Sequence, residues 1–447
     1  MRRHVVLLVL GNVQQSPRMR AHAHAWAAHG FQVTLIGYGE SRTPDDDDDD
    51  DARRVSPRFL SLGPAPSSVH ARNRARRWHY ALAMLWSVLS RLAVLLWTLC
   101  VRLERWDVLI AQNPPAIPTI FCAYIGWWLR GRRRSQWLVD WHNSTSSILQ
   151  VQRAPTRLVA IARTLELTGS RWLAHGHLCV SRALKAYLVA QARLSPERIV
   201  VVYDRPRQAM IEEALRARQM SRKAFVQALR ARLPLRAFEL DAAAPWLITS
   251  TSWTPDENMH CLLDALCVLE REHGWAGEVI ITGRGPLRDA FVQQQWPARR
   301  LQRIRLHALW LPSWRDYVQV LAHADVGISL HASSSGLDLP MKVVDMLACG
   351  LPVAALSYFC IANEMPFPQM RTYGEAHRSA PAGVLFSDAN ELALAAQYVW
   401  HHRAAMREAV AELVAGDASW RWETHWADTL LPFCQRLGCG PEERKGV

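Results

Sequence analysis

Short apolar runs alternate with longer amphipathic stretches along most of the chain. Strands are predicted at His4–Leu10, Phe31–Tyr38, Arg58–Leu62, Asp107–Gln112, Gln136–His142, His177–Ser181 and Ile199–Asp204. A second series is predicted at Trp246–Ser252, Glu278–Gly283, Ile304–Leu309, Val326–His331, Pro352–Leu356 and Val384–Phe386. Runs without strict polar alternation suit strands covered by helices on both faces. Together with the helical stretches between them they predict an α/β protein with two doubly wound parallel sheets. The expected division is residues 1–205, a connecting segment at 206–245 rich in Arg and Ala, residues 246–418, and a final helix at 419–437 packing across the domain junction. Open α/β sheets bind ligands outside the carboxyl ends of their strands. Two such sheets facing each other would share one cleft.

Two segments stand apart from this alternation. Trp78–Val101 is long enough to cross a bilayer, yet it carries Ser87, Arg91 and Thr98. An Arg at the bilayer centre costs roughly 2.5–3.5 kcal/mol. The strands on either side should also share one sheet, which a single crossing would forbid. The segment therefore reads as a helix lying in the lipid surface, flanked by Arg72, Arg74, Arg76, Arg77, Arg102 and Arg105. Ala116–Leu129 is too short to span. Its Trp127–Trp128 pair suits an interface, and Arg130, Arg132, Arg133 and Arg134 follow it.

Charge sharpens this picture. The 447 residues carry a net charge of +13, and because seven acids lie in the single run Asp45–Asp51, the remainder carries +20. That balance predicts an acidic partner. The Asp run reads as a solvated loop, since clustered like charges stay hydrated. Nine cysteines without ligand spacing predict reduced thiols and a cytosol-facing protein. No zinc-finger or RNP-like pattern is present, so no nucleic-acid partner is expected. No cleavable signal peptide is legible before the first strand.

The richest chemistry lies in SSSGLDLPMKVVDM at Ser333–Met346. A polar loop containing Ser335, Gly336 and Leu337 runs into a short helix whose start is set by Pro340, and a helix N-terminus is an anion site. Lys342 adds positive charge, and Asp345 follows three residues later on the same side. A phosphate on Lys342 and the amides, with ribose hydroxyls on Asp345, fits that spacing. Ser252 and Trp253 follow the first strand of the second series, offering a hydroxyl for phosphate and a wall for a sugar or base. Gly283, Arg284 and Gly285 end another strand, where the glycines would let a base or phosphate approach and Arg284 would add charge.

In the first half, Gly11 would permit a tight turn before a helix. Ser16 and Arg18 would face a phosphate. Asp140 and His142 end a predicted strand, where His142 suits a general base and Asp140 a support for one. Asp338 is a third candidate for the base, and residue types alone leave the choice open. The absence of GxGxxG, HExxH, Walker A, GxSxG and kinase motifs argues against dinucleotide binding, zinc, NTP hydrolysis, acyl hydrolysis and phosphoryl transfer to protein.

These motifs resemble those of the chitobiosyldiphosphodolichol beta-mannosyltransferase family. The likeness covers nearly the whole chain through SPRM (Ser16–Met19), HGFQVTLIG (His29–Gly37), QNPP (Gln112–Pro115), DWHN (Asp140–Asn143), VYD (Val202–Asp204), STSWTPDE (Ser250–Glu257), ITGRGPLR (Ile281–Arg288) and the Ser333–Met346 stretch. The resemblance implies a GT-B fold, with Rossmann-like domains facing across a cleft. It implies inverting transfer of mannose from GDP-mannose to GlcNAc2-diphosphate-dolichol on the cytosolic face of the endoplasmic reticulum membrane, as an early step of N-glycan precursor assembly. It further implies Lys342, Arg284 and the helix amides on the departing GDP, Asp345 on ribose, no required divalent metal and no resident cofactor. It also implies other mannosyltransferases of the pathway as partners. Relatives carry an apolar anchor ahead of the first strand, for which this sequence leaves no room, so attachment would rest on the 78–129 region.

Overall fold

A computed structural model of the chain describes residues 3–39, 57–63, 77–232, 240–254, 257–364, 370–372 and 381–439. The Asp45–Asp51 run and Arg72, Arg74 and Arg76 lie outside the described residues, as do the side chains of Arg77, Arg132, Arg133 and Arg134. The chain divides into two units, Met1–Tyr203 with Trp426–Val447, and Asp204–His425.

The first unit holds β1 (His4–Asn12), β2 (Gln32–Tyr38), β3 (Arg58–Ser61), β4 (Trp106–Asn113), β5 (Gly131–Trp141), β6 (Gly176–Cys179) and β7 (Ile199–Val201). They form one sheet in the order β3-β2-β1-β4-β5-β6-β7, with every pair parallel. The second unit holds β8 (Trp246–Ser250), β9 (Gly277–Thr282), β10 (Ile304–Leu309), β11 (Val326–Ser329), β12 (Val353–Leu356), β13 (Met370–Thr372) and β14 (Gly383–Phe386). Their order is β10-β9-β8-β11-β12-β14-β13, again all parallel. In each sheet the winding reverses beside the first strand, between β1 and β4 and between β8 and β11. Such a switch point opens a crevice at the carboxyl ends of the strands. Apolar residues fill both faces: Val5, Val6, Leu7 and Leu8 of β1 are fully buried, as are Trp106, Trp137 and Trp141 around it and Trp246 in the second sheet.

Three details differ from the sequence reading. β13 was not foreseen, because Met-Arg-Thr is a short edge strand without an apolar run. β5 begins at Gly131, five residues before the predicted start. Gly131 pairs with Trp106, and the register shifts before Gln136 meets Val108, so the Arg-rich stretch reads in sequence as flanking charge. Residues 206–245 contribute two helices, Gln208–Arg218 and Arg222–Arg232, to the second unit. Phe225 stacks on His323 with centroids 4.2 Å apart. Arg222 pairs with Asp325 at 2.7 Å, and Arg218 donates to the carbonyls of Cys349 and Gly350 at 2.6 and 2.5 Å. The last helix, Trp422–Arg436, changes unit at Trp426.

On the first unit, Arg77–Trp97 is helical and Thr98–Arg102 continues it with a wider turn. It neighbours the Thr119–Arg130 helix, which neighbours Thr156–Leu173. All three leave apolar side chains in solvent. Trp86, Trp128 and Trp172 are 74 %, 70 % and 71 % exposed, accompanied by Val94, Trp97, Leu129, Leu158 and Ile161. Of the polar residues in this segment, Thr98 is buried, whereas Arg91 is exposed. Thr156–Leu173 buries a mixed face: Glu166 and Ser170 are fully buried alongside Val159, Ala162 and Leu167, while Leu158, Ile161 and Leu165 stay exposed. Glu166 is held by Asn113 Nδ2 at 2.8 Å and the Thr145 amide at 2.9 Å. Among the described residues no helix is long and apolar enough to cross a membrane.

Candidate active site

Each unit carries its own cluster of polar groups at the carboxyl ends of its central strands. In the first, β1 runs through Gly11 to Asn12, whose side chain accepts from the Gln14 amide at 3.0 Å. Gly11 is therefore part of a strand rather than a tight phosphate turn. A Cβ there would meet only Val9, at an ordinary 3.7 Å. Ser16 is buried, and its hydroxyl donates to Gln112 at 2.7 Å, tying the end of β1 to the end of β4. This occupies the hydroxyl that the sequence assigned to a phosphate.

Arg18 is the larger correction. It sits in the first turn of the Pro17–Ala28 helix, as expected, but is only 2 % exposed and points inward. Its Nε donates to Asp140 Oδ2 and its Nη2 to Asp140 Oδ1, both at 3.0 Å, while Nη1 donates to the Val202 carbonyl at 2.8 Å. A guanidinium engaged in this way cannot bind an external phosphate. Asp140, at the end of β5, is fully buried. Burial favours its neutral form, but the Arg18 charge, followed by His142, holds the carboxyl well below the usual range. Because Asp140 is inaccessible, it cannot meet a substrate directly. His142 is partly exposed, and its Nε2 lies 3.0 Å from Asp140 Oδ2. A third partner was not foreseen: His22 Nε2 lies 3.5 Å from the same oxygen, and His22 Nδ1 accepts from the Trp426 indole at 2.9 Å.

In the second unit the Ser333–Met346 stretch folds as its sequence suggests. The helix is Met341–Ala348, begun after Pro340, and no side chain caps its N-terminus. Gly336 takes a left-handed φ of +72° with open space where a Cβ would sit. Ser335 accepts from the Leu337 amide at 3.2 Å, so the loop is ordered by its own hydroxyls. Lys342 forms an ion pair with Glu257. Glu257 also accepts from the Thr251 hydroxyl and, at 2.8 Å, from the Ser252 amide. This buried carboxylate places the ammonium beside the loop that follows β8. It stands last in the STSWTPDE motif, after Asp256, and acids so close to a strand end were the available signal.

Asp345 and Tyr317 share a hydrogen bond. Burial pushes the Asp345 carboxyl up to about 7, against the pull of Arg207 and with Asp204 adding repulsion. Tyr317 in turn accepts from Ser250 at 3.1 Å, and Ser250 from Thr282 at 3.1 Å. Asp338 is engaged by the Ser333 hydroxyl and lies 3.3 Å from His331 Nε2. Its carboxylate therefore closes the 333–338 loop, which places it less freely than a base would require.

Three of the expected donor contacts serve the framework. Trp253 is fully buried, with its indole donating to the Gly283 carbonyl at 3.2 Å, so it cannot wall a ligand. Gly283 and Gly285 do permit a close approach, but to protein: a Cβ would stand 1.8 Å from Thr251 O and 1.9 Å from Ser252 O, respectively. Arg284 and Ser252 remain exposed. The Arg284 guanidinium lies 4.1 Å from the ring centroid of Trp310, an exposed indole just beyond β10. The described residues contain no group of metal-ligating side chains.

Two parallel sheets of this winding, each with polar loops gathered at its strand ends, match the GT-B fold of glycosyltransferases. A solved glycosyltransferase from Rickettsia africae matches 98% of this chain and 99% of its own with a TM-score of 0.60 at 13% identity, and the model of a glycosyl transferase 4-like domain matches residues 15–204. The particular family follows from closer relatives: the chain belongs to the chitobiosyldiphosphodolichol beta-mannosyltransferase family. The Homo sapiens protein of that name is 32% identical over 96% of this chain and 92% of its own. An Arabidopsis thaliana relative, named UDP-glycosyltransferase TURAN, is 30% identical over 96% and 97%.

Proposed function

We propose that the protein is an inverting mannosyltransferase that moves mannose from GDP-mannose to GlcNAc2-diphosphate-dolichol, giving Man-beta-1,4-GlcNAc2-diphosphate-dolichol and GDP at the cytosolic face of the endoplasmic reticulum. The observation that carries this reading is Lys342, fixed by Glu257 at an uncapped helix N-terminus. A cation and backbone amides in the first turn of one helix suit a departing diphosphate without a metal. Arg284 and Ser252, both exposed, extend the donor site, and Asp345 takes the ribose. The name of the human relative supports the lipid-linked chitobiose as acceptor and mannose as the sugar.

The name of the Arabidopsis relative favours a second reading, a UDP-sugar donor. Purified protein should be incubated with a phytanyl-diphosphate-linked chitobiose and either GDP-mannose or a panel of UDP-sugars, followed by linkage analysis. A beta-1,4-mannosyl product formed only from GDP-mannose is expected. An alpha linkage, or consumption of a UDP-sugar alone, overturns the assignment.

The lipid acceptor must be met at a bilayer, and the exposed apolar side chains of Arg77–Trp97, Thr119–Arg130 and Thr156–Leu173 form the surface proposed to lie on it. Full burial of an apolar side chain is worth roughly 1.5–3 kcal/mol, and partial immersion realises some of that. The double variant Trp128→Asp with Ile161→Asp should therefore bind anionic vesicles about tenfold more weakly in a sedimentation assay. Unchanged binding would remove this face from the proposal.

A further inference from the structure

His142 is the accessible end of an otherwise buried chain of polar groups. Asp140 Oδ2 meets His142 Nε2 at 3.0 Å, Arg18 Nε at 3.0 Å and His22 Nε2 at 3.5 Å. An ionised carboxylate only accepts hydrogen bonds, so the His142 nitrogen facing it must carry a proton. The neutral ring then has its lone pair on Nδ1, for which the described residues provide no partner. Arg18 fixes the carboxylate through both oxygens and is itself anchored to the Val202 carbonyl. His22 is oriented in the same manner, because an indole N–H can only donate, and Trp426 donates to its Nδ1. Two elements thus bring charged or titratable groups to Asp140 besides β5 itself: Arg18 and His22 from the Pro17–Ala28 helix, and Cys179 from β6.

We infer that Asp140, held by Arg18, is a positioning residue that pins His142 in the Nε2–H tautomer and so makes Nδ1 the atom that accepts the proton of the attacking hydroxyl. The inference rests on the transfer proposed above and deepens it. The acceptor oxygen forms a bond to the anomeric carbon, and the bond from that carbon to the diphosphate oxygen breaks. GDP departs with the electron pair. The hydroxyl proton passes to Nδ1, and the imidazolium, stabilised by Asp140, later releases it to water. Substitution of a carboxylate that orients a catalytic imidazole typically costs orders of magnitude in turnover without displacing the substrate.

The wild-type tautomer can be read directly by NMR of 15N-histidine-labelled protein, with His142 assigned by loss of its signals in His142→Gln. The expected state is a protonated Nε2 and a bare Nδ1. In Asp140→Asn the tautomers should mix, and kcat should fall by about 10²–10⁴, with KM for GDP-mannose within about threefold of wild type. If Asp140→Asn does not fold, Arg18→Lys should show a smaller kcat loss with the same unchanged KM. A proton on Nδ1 in the wild type, or wild-type kcat in either variant, overturns the inference. Because the tautomer is read without turnover, the expected tautomer in a protein that transfers no mannose would sink the proposed reaction while leaving the positioning role in place.

Discussion

Lys342→Ala should lower kcat/KM for transfer by about 10²–10³, the usual loss when one donor to developing negative charge is removed from a protein site. In the proposed reaction the leaving diphosphate gains charge as its bond to the sugar stretches, and a point cation beside a helix N-terminus would stabilise that state more than the ground state. The Glu257 carboxylate would lose its cation but keep the Thr251 hydroxyl and the Ser252 amide. The loop after β8 should therefore hold, and the loss should appear in chemistry and GDP affinity rather than in thermal stability. Steady-state kinetics together with calorimetric titration of GDP would measure both. Transfer and GDP affinity equal to wild type would remove Lys342 from the donor site.

The second large effect concerns stability. Gly283→Ala should cost about 4 kcal/mol or more, in the range reserved for steric conflict that cannot relax. The new Cβ would stand 1.8 Å from Thr251 O at a φ of +133°, and the opposing atom is backbone. Neither side can yield easily, since the Thr251 amide is bonded to Thr282 O at 2.8 Å and the Gly283 amide to Leu309 O at 3.0 Å. Gly336→Ala provides the control. Its φ is also positive, at +72°, but the Cβ meets open space, so only the left-handed cost of roughly 1 kcal/mol applies. Thermal melting should separate the two variants by roughly 6–12 °C. Equal melting temperatures would show that the loops after β8 and β9 do not approach as described.

The legible parts of this molecule are those whose chemistry is local. Apart from the edge strand β13, the strands of both sheets were readable because double-sided burial demands continuous apolar runs. The Ser333–Met346 stretch was readable because Pro340, Gly336 and Lys342 each act within a few residues of their own position. The misread parts share a different property. Arg18 looks like a phosphate ligand until Asp140, 122 residues away, claims it. Trp253 looks like a sugar wall until the core closes over it. The glycines of Gly283–Gly285 do admit a close approach, but sequence spacing does not say what approaches.

The chain's own order of residues thus determined two parallel sheets, the helix that begins after Pro340, and the cation placed in its first turn, because backbone geometry and side-chain period act over short distances. Tertiary structure decided what each charge meets: Arg18 and Asp140 neutralise each other, Glu257 secures Lys342, and His142 Nδ1 has no partner among the described residues. The reason is that Arg18 and Asp140 lie 122 residues apart and Glu257 and Lys342 lie 85 apart, and a charge shows its role only once folding has fixed what stands beside it.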